Sequence, residues 1–474
     1  MRKQLIGLFF LLAPVYTQAQ VSRPTTLSDT EKLYGLSTFW SEAKYNFAYF
    51  DKAKVNWDSA YQSFIPQVLA TKDDFAYYRT LERFCALLKD GHTNVNGPWS
   101  IYKFSTYVPL RLVVVDQKPY VSQVLKGLSD NVPVGAELLT VDAMPVRQYL
   151  DQRVFPYISA SAEHEKWNRA MFGIWAATSD TTTVYPMTFR TPDGQIITFQ
   201  SRLFSQRERD GSAWLGGDGR PVSKRQLSAL TMLPGNIARV ELNSFSDEKI
   251  IAEFKAMLPQ LRTATGVIID LRQNGGGSTD IGTAILNYFT EQKTLTGSAW
   301  RTREHRAAYK AWGMFTLKQP IDSAQYRNSS EYRRTVQTAQ GDFWFKGNTN
   351  QSWNSLKEPK LLVPTVVVAG HGTASAAEDF LIYVKQLTDR KIPIIGEPSM
   401  GTTGQPLLFT LPGGGSARIC TKRDTYADGT DFVGIGVLPD ITVKPTVADL
   451  VRGRDAVLER ATTYLQEQIA GDKK

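Results

Sequence analysis

Apolar and polar positions follow three different patterns along the chain, and each pattern predicts a different kind of region. From about residue 20 to residue 100, apolar residues recur at helical spacing. A Ser28-x-x-Glu31 capping box marks the start of the first predicted helix. A second apolar stripe, from Phe75 to Leu88, predicts a helix that leads into the loop Asp90–Thr93. We therefore expect an N-terminal helical region.

Residues 101–205 have the short, alternating pattern of β-strands. The predicted strands are Val108–Val115, Pro119–Val124 and Thr183–Arg190. Between them, Val134–Val146 shows the order glycine, strand, turn and helix that is typical of a PDZ domain. This pattern predicts a β-rich, PDZ-like domain.

Residues 206–474 alternate buried strands with amphipathic helices. This alternation indicates an α/β core with crossover connections. The predicted strands are Val240–Leu242, Gly266–Leu271, Leu362–Val368 and Ile392–Ile395, and the predicted helices are Glu248–Leu261, Thr279–Phe289 and Ala376–Leu387.

An aromatic-rich insert, residues 298–360, separates the second and third predicted strands of this core. Its aromatic residues include Trp300, Trp312, Tyr326, Trp344 and Trp353. They could cap a substrate site or pack onto the core, and the usual burial of large aromatic side chains favours packing.

The composition excludes some classes of protein. With 474 residues, 42% of them hydrophobic, the chain has enough apolar material for two or three domains and is not a disordered protein. The net charge of +9 is spread thinly, and no block of like charges indicates a nucleic-acid partner.

Residues 1–19 have the pattern of a secretory signal peptide. Arg2 and Lys3 precede the apolar run Leu5–Val15, and small residues follow at Thr17–Ala19. We expect an exported protein, periplasmic or extracellular. No later run reaches 18 apolar residues, so no transmembrane anchor is expected.

The chain has two cysteines, Cys85 and Cys420, which are far apart in sequence. In an oxidising compartment they could form one disulfide, and two buried thiols are an equal alternative.

The segment Gly275–Gly277 follows a predicted buried strand and precedes a predicted helix. Such glycines can present backbone N–H groups to an anion. No Gly-Lys-Ser/Thr follows, so the pattern does not favour nucleotide binding. An ordinary tight turn is the alternative interpretation.

Ser375 lies where a Val-rich strand gives way to an amphipathic helix. The helix N-terminus offers free N–H groups and a favourable dipole to a developing oxyanion, and the small neighbours of Ser375 leave room for a carbonyl group. These features make Ser375 a candidate nucleophile. The alternative is structural, because Ser375-x-x-Glu378 is also a capping box.

A nucleophilic serine needs a base, and the chain has only four histidines. His92 lies in a glycine-containing loop of another region, as is common for catalytic partners. His371 is the near competitor, whereas His164 and His305 have charged, exposed surroundings. So few histidines and cysteines make a zinc site hard to build, and we expect no metal or cofactor.

Four ordered motifs resemble the C-terminal-processing and tricorn-core family of serine peptidases. They are DLRQNGGG at Asp270–Gly277, GTASAAEDF at Gly372–Phe380, GEPSMGTTGQ at Gly396–Gln405 and DGTDFVGIGVLPDI at Asp428–Ile441. DGHT at Asp90–Thr93 fits the same family.

The resemblance implies an α/β fold with a crotonase/ClpP-like spiral core, a PDZ-like domain and cleavage of peptide bonds. Ser375 matches the nucleophile. The backbone N–H of Ala376, together with that of Gly276 or Gly277, matches the oxyanion hole.

The chain departs from the family at the base. The processing branch uses a lysine in a G-K-G-like stretch, and this chain has Gly401–Gly404 there, without lysine. The tricorn-like branch uses a histidine at the position of His92, so the resemblance assigns His92 as the general base.

The tricorn-like branch also has a serine and a glutamate where this chain has Gly91 and Val433. The group that orients His92 therefore stays open. Glu397, Asp428, Asp431 and a backbone carbonyl are the candidates.

The sequence thus predicts an exported serine peptidase that acts on peptides or proteins. Because the family also contains retinoid-binding relatives, a non-catalytic protein that binds a hydrophobic ligand or a peptide is one alternative. An esterase with the same Ser–His pair is another.

Overall fold

The computed structural model describes residues 27–98, 101, 106–107, 109–128, 131–173, 184–202, 204–205, 213–222 and 225–471. The predicted signal peptide, residues 1–19, lies outside this set. No helix in the described ranges combines the length and apolarity needed to cross a membrane. The mixed α/β fold class is confirmed.

The N-terminal region is helical, as predicted. Its helices are α1 (Asp29–Asn46), α2 (Phe50–Ala53), α3 (Trp57–Leu69) and α4 (Asp74–Ala86). The Ser28–Glu31 capping box is present: the Ser28 N–H donates to Glu31 Oε2 (2.8 Å), and the Glu31 N–H donates to Ser28 Oγ (3.3 Å). These helices share one apolar core with the C-terminal third of the chain, so the helical region does not fold as a separate body.

The middle region forms an antiparallel sheet with an apolar core of its own, centred on Val121, Leu138 and Phe189. The predicted strands are confirmed to within a few residues. The sheet extends past residue 205, because β10 pairs with β4. In chain order, the elements from residue 94 to residue 215, of which β1 belongs to the N-terminal region and β2 and β9 form a separate pair, are β1 (Asn94–Asn96), β2 (Thr106–Tyr107), β3 (Leu110–Val115), β4 (Lys118–Leu125), β5 (Glu137–Val141), β6 (Met144–Pro145), α5 (Val146–Tyr149), α6 (Glu163–Gly173), β7 (Val184–Arg190), β8 (Ile196–Arg202), β9 (Phe204–Ser205) and β10 (Trp214–Leu215).

The third region contains a six-stranded sheet of order β11-β12-β13-β18-β19-β23, parallel from β12 onwards. Its elements, in chain order, are β11 (Ser228–Leu233), β12 (Ile237–Leu242), α7 (Lys249–Leu261), β13 (Gly266–Asp270), α8 (Thr279–Leu286), β14 (Thr294–Thr296), β15 (Ala299–Arg303), α9 (Ala307–Thr316), α10 (Ser323–Asn328), α11 (Ser330–Ala339), β16 (Trp344–Lys346), β17 (Gln351–Trp353), β18 (Thr365–Ala369), α12 (Ala376–Lys385), β19 (Ile394–Gly396), β20 (Pro406–Leu411), β21 (Gly415–Cys420), β22 (Lys422–Thr425), β23 (Ile441–Thr442), α13 (Val447–Arg452) and α14 (Ala456–Gly471).

Two neighbouring strands of this sheet lead into the loops that carry the predicted catalytic residues. β13 and β18 are fully buried and parallel, so the Gly275–Gly277 loop and the Gly370–Ser375 loop leave the same edge. The Ala374 N–H donates to the carbonyl of Asn274 (3.0 Å), which joins the two loops directly. Ligand sites of parallel α/β sheets lie at this edge.

A small sheet brings the His92 loop to the same place. β1 starts two residues after His92 and pairs with β21, with Asn94 opposite Arg418. Strand β20 forms the other side of this three-stranded sheet. The N-terminal region therefore contributes a strand, as well as its helices, to the C-terminal core.

The aromatic insert packs onto the core only in part. Trp344 is partly buried against the shared core, and β15 pairs with β22. Trp312 and Trp353 are 51% and 69% exposed. The prediction that the insert aromatics pack onto the core is thus wrong for these two residues, because the short elements α9 and β17 turn them outward.

Cys85 and Cys420 are both buried and both free. Burial raises the pKa of each thiol above its ordinary value. Of the two alternatives that the sequence left open, the structure has the pair of thiols.

Candidate active site

Ser375 has a strained backbone at the start of α12. Its φ of 56° and ψ of −125° lie in a region that L-residues rarely adopt, whereas an ordinary N-cap residue is extended. Strain of this kind concentrates at functional sites, and a sharp strand-to-helix turn is how several hydrolases present a nucleophile. The backbone geometry therefore favours the catalytic interpretation of Ser375 over a purely structural cap.

A buried carboxylate, that of Glu378, fixes the surroundings of Ser375. It accepts hydrogen bonds from the Ser375 N–H (3.1 Å), the Ser399 hydroxyl (2.5 Å), the Gly401 N–H (2.8 Å) and the Thr402 N–H (3.1 Å). Burial raises the pKa of Glu378 to about 8, against the lowering effect of these donors. Glu378 therefore does more than cap α12, because its hydrogen bonds also connect the start of this helix to the 399–402 loop.

Gly276 lies directly against Ser375. It has a φ of 97°, and a Cβ on it would stand 2.6 Å from the Cβ of Ser375 and 3.0 Å from the Ala376 nitrogen. Its own N–H donates to Asn274 Oδ1 (2.9 Å). Ala376 is the first residue of α12, where backbone N–H groups have no partner within the helix.

Gly277 has a φ of 139°, and a Cβ there would stand 2.1 Å from the carbonyl carbon of Phe245. Both positions therefore exclude any side chain. Of the three predicted oxyanion residues, Gly276 and Ala376 lie directly against Ser375, whereas Gly277 packs against Phe245, and the catalytic role of all three stays a prediction.

His92 is buried, with 8% of its surface exposed. Its Nδ1 lies 2.7 Å from Thr402 Oγ1, and the Thr402 carbonyl accepts the Ser375 N–H (3.1 Å). One residue, Thr402, thus contacts both the predicted nucleophile and the predicted base.

The surroundings of His92 oppose its protonation. Burial, with the positive charges of Arg418, Arg169 and Lys422, lowers the pKa of His92 to about 3. The imidazole is therefore neutral in the resting protein.

Two of the three acids that the sequence offered for orienting His92 have other partners. Asp428 accepts from Thr430 (2.7 Å), and Asp431 pairs with Lys52 (2.9 Å). Burial raises the pKa of Glu397. In the described ranges, the hydrogen bond of His92 goes to Thr402 rather than to any of these three carboxylates.

The competitor His371 stacks on His164, with ring centroids 4.6 Å apart. His164 Nε2 lies 2.8 Å from the Ser399 carbonyl, so the expectation that His164 is exposed is wrong. The tertiary contact between α6 and the 399–402 loop covers it. His305 is exposed, as expected.

Sequence reasoning missed Thr402, Ser399 and Ser161, which line the site. The 401–404 stretch had been notable only for the absence of lysine. The hydrogen bond between His92 and Thr402 joins residues that are 310 positions apart in sequence, and no local sequence pattern predicts such a contact.

Comparison with known proteins agrees with this architecture. The family model for peptidase family S41 matches residues 236–443. A crystal structure of mature CPAF superposes with a TM-score of 0.66 at 15% identity, covering 93% of this chain and 96% of that one. A structure of mature CPAF complexed with lactacystin gives a TM-score of 0.65 at 15% identity, covering 93% of this chain and 98% of that one.

The two CPAF structures show that the fold extends over nearly the whole chain, and the matched segment contains Ser375 and the glycine loop. The resemblance found in the four motifs is therefore confirmed. The core, residues 236–443, matches peptidase family S41, and this match identifies the protein as a serine peptidase.

Proposed function

We propose that the protein is an exported peptidase that hydrolyses peptide bonds through an acyl-enzyme on Ser375, with His92 as general base. The observation that carries the proposal is the double contact of Thr402, whose hydroxyl faces His92 and whose carbonyl holds the backbone of Ser375. Because Ser375 and His92 are both held by Thr402, the distance and orientation between them are fixed, and activation of a nucleophile by a base requires such a fixed geometry.

In the proposed first step, Ser375 Oγ bonds to the substrate carbonyl carbon, and its proton passes to His92 Nε2. A hydrogen bond from Nδ1–H to Thr402 Oγ1 supports this tautomer, since it leaves Nε2 free to accept. The oxyanion accepts from the Ala376 N–H and from the N–H of Gly276 or Gly277.

The tetrahedral intermediate then collapses. The C–N bond breaks, and His92 returns the proton to the leaving amine. A water molecule next attacks the acyl group while His92 takes its proton, and Ser375 Oγ leaves with that proton. The neutral resting state of His92 suits this cycle, because the general base must be unprotonated when the reaction starts.

Paired substitutions test the mechanism. Ser375→Ala and His92→Gln should each abolish cleavage of a fluorogenic peptide library, while the exposed controls Ser63→Ala and His305→Gln keep it. A fluorophosphonate should label wild type at Ser375. Full activity of Ser375→Ala would refute the mechanism, and ligand-dependent melting without turnover of any peptide or ester would favour a binding protein.

A matched ester and amide pair separates peptidase from esterase. Lactacystin is a useful probe, since the structurally similar mature CPAF forms a complex with it. We expect lactacystin to inhibit wild type and to block its labelling by the fluorophosphonate.

Export is proposed from the pattern of residues 1–19. Expression of the full chain in a host with a secretory pathway should give an exported protein beginning at Gln20, as read by N-terminal sequencing. An intact Met1 on protein retained in the cytoplasm would contradict this expectation.

The middle sheet is proposed to be a PDZ-like domain. Its support is the observed order Gly135, β5, β6 and α5, which follows the predicted glycine–strand–turn–helix pattern. Ser375→Ala protein should bind labelled peptides with a free C-terminus more tightly than their amidated forms. Equal binding of both forms would argue against this assignment.

A further inference from the structure

The backbone of Gly91, the residue before His92, is held by Ser161, which precedes α6, and by Arg169, which lies in α6. The Gly91 N–H donates to Ser161 Oγ (2.9 Å), and the Gly91 carbonyl accepts from Arg169 Nη2 (2.9 Å). The position of the catalytic loop therefore depends on residues 161–169, which come from a different part of the chain.

Glu165 organises this segment. Its Oε2 accepts from the Ser161 N–H (2.6 Å), and its Oε1 lies 2.7 Å from Arg169 Nη2. The same carboxylate therefore fixes both groups that hold Gly91. Ser161 Oγ also lies 3.3 Å from Thr402 Oγ1, the hydrogen-bond partner of His92.

The absence of a side chain at Gly91 lets Glu165 come this close. A Cβ on Gly91 would stand 2.0 Å from Glu165 Oε1 and 2.6 Å from Thr402 Oγ1. The two oxygens thus flank the volume that any other residue at position 91 would fill. Gly91 and Glu165 form a matched pair.

Glu165 has acceptor capacity that its neighbours do not use. Its side chain is fully buried, and among the described residues Oε1 makes no hydrogen bond of suitable geometry despite the ion pair with Arg169. A buried carboxylate is costly unless something offsets its desolvation. Asp90, the other buried acid here, already accepts from Thr93 (2.6 Å) and Ser161 (3.2 Å).

The electrostatic surroundings of His92 disfavour a positive charge on its ring. Arg418, Arg169 and Lys422 all oppose a positive charge on His92, as does burial. The proposed reaction forms an imidazolium there in each half of the cycle. A negative group on the Thr402 side of the ring would offset part of this opposition.

We propose that Glu165 is the positioning acid of His92: it fixes Gly91, Ser161 and, through them, the Thr402 hydroxyl that accepts the hydrogen bond from Nδ1–H, and its ion pair with Arg169 offsets one of the positive charges that oppose an imidazolium. This role rests on the proposed function, because it presumes that His92 is the base. Glu165 contacts neither substrate nor nucleophile in this role, so it acts on the reaction only through His92.

The test combines kinetics with the tautomer of His92. Glu165→Gln keeps the shape and removes the charge, and Glu163→Gln, exposed on the same helix, is the matched control. We expect Glu165→Gln to lower kcat by about 10–100-fold with KM within about twofold, as is typical when a supporting partner is lost. The control should keep the wild-type kcat.

With only four histidines, ¹⁵N-histidine labelling gives a spectrum in which the His92 signals are assigned by their loss in His92→Gln. Wild type should show His92 protonated at Nδ1, and Glu165→Gln should show a mixture of the two neutral tautomers. An unchanged kcat, or an unchanged tautomer alongside a lower kcat, would overturn the proposal.

If Glu165→Gln does not fold, Thr402→Val provides the second arm, because it removes only the hydroxyl that links His92 to this network. The tautomer mixture is then expected in Thr402→Val, and a pure Nδ1–H form there would overturn the proposal. The tautomer is read without turnover. A failure of the proposed peptidase mechanism, seen as activity of Ser375→Ala, is therefore a separate result.

Discussion

Gly276→Ala should damage the active site far more than its small size suggests. The new Cβ would stand 2.6 Å from the Cβ of Ser375, 2.8 Å from the Ala374 carbonyl oxygen and 3.0 Å from the Ala376 nitrogen. Two of these neighbours are backbone atoms that cannot rotate away. The loop or the start of α12 must therefore shift, and either shift moves a proposed oxyanion donor.

The expected magnitude has two parts. The left-handed φ of 97° costs an alanine about 1–2 kcal/mol, and forcing a methyl group into a packed site costs about 1–3 kcal/mol more. We therefore expect the free energy of unfolding to fall by about 2–5 kcal/mol. Displacement of one oxyanion donor should lower kcat by about 10²–10³-fold.

Two glycines serve as matched controls for this substitution. Gly194 has a similar φ of 90° with nothing within 4 Å of its Cβ position, so Gly194→Ala measures the backbone strain alone. Gly275 is in the same loop and has equally open space, so Gly275→Ala measures the effect of any methyl group there. Urea unfolding and peptide turnover should be measured on all three variants. Equal kcat values for Gly276→Ala and Gly275→Ala would refute the reasoning.

Three further predictions follow from the buried groups. Because the pKa of His92 is lowered to about 3, kcat/KM should show no acidic limb near pH 6.5, and a fall of activity centred there would contradict this. His92 resists protonation in the folded protein, whereas a histidine in the unfolded chain is protonated below about pH 6.5. The free energy of unfolding should therefore fall below that pH by up to about 1.4 kcal/mol per pH unit, and urea titrations of His92→Gln should show a smaller dependence on pH. Changing Arg272 to Met removes its ion pairs with buried Asp270 (2.7 Å) and with Asp455 (2.8 Å), but Asp270 keeps its pair with Arg239 (2.7 Å), so we expect a loss of about 1–3 kcal/mol in the free energy of unfolding. The exposed Arg220→Met should be nearly neutral in the same assay.

The elements of the fold were predictable where they are buried on both faces. Strands β13 and β18 consist of apolar runs bounded by Gly or Pro, and such runs identify the central strands of a parallel sheet. The family motifs lie on the loops after these strands, so the position of Ser375 followed from the same local patterns.

The environment of His92 was not predictable in this way. Its partner Thr402 is 310 residues away, and the residues that hold Gly91 are about 70 residues away. Only the folded chain brings them together. The sequence suggested acids in the 397–431 segment, because it indicates residue types but not which carboxylates already have partners.

In the proposed mechanism, the stretch Gly401–Gly404 positions a base instead of supplying the lysine that the resemblance leads one to look for there. Glu378 holds the N–H groups of Gly401 and Thr402, so this loop has a fixed position beside Ser375. Thr402 then presents a hydroxyl to His92, which β1 and β21 bring in from the N-terminal region. The loop thus contacts the proposed base, which comes from another part of the chain, so a change at Thr402 should disturb His92 while leaving the strained backbone of Ser375 in place.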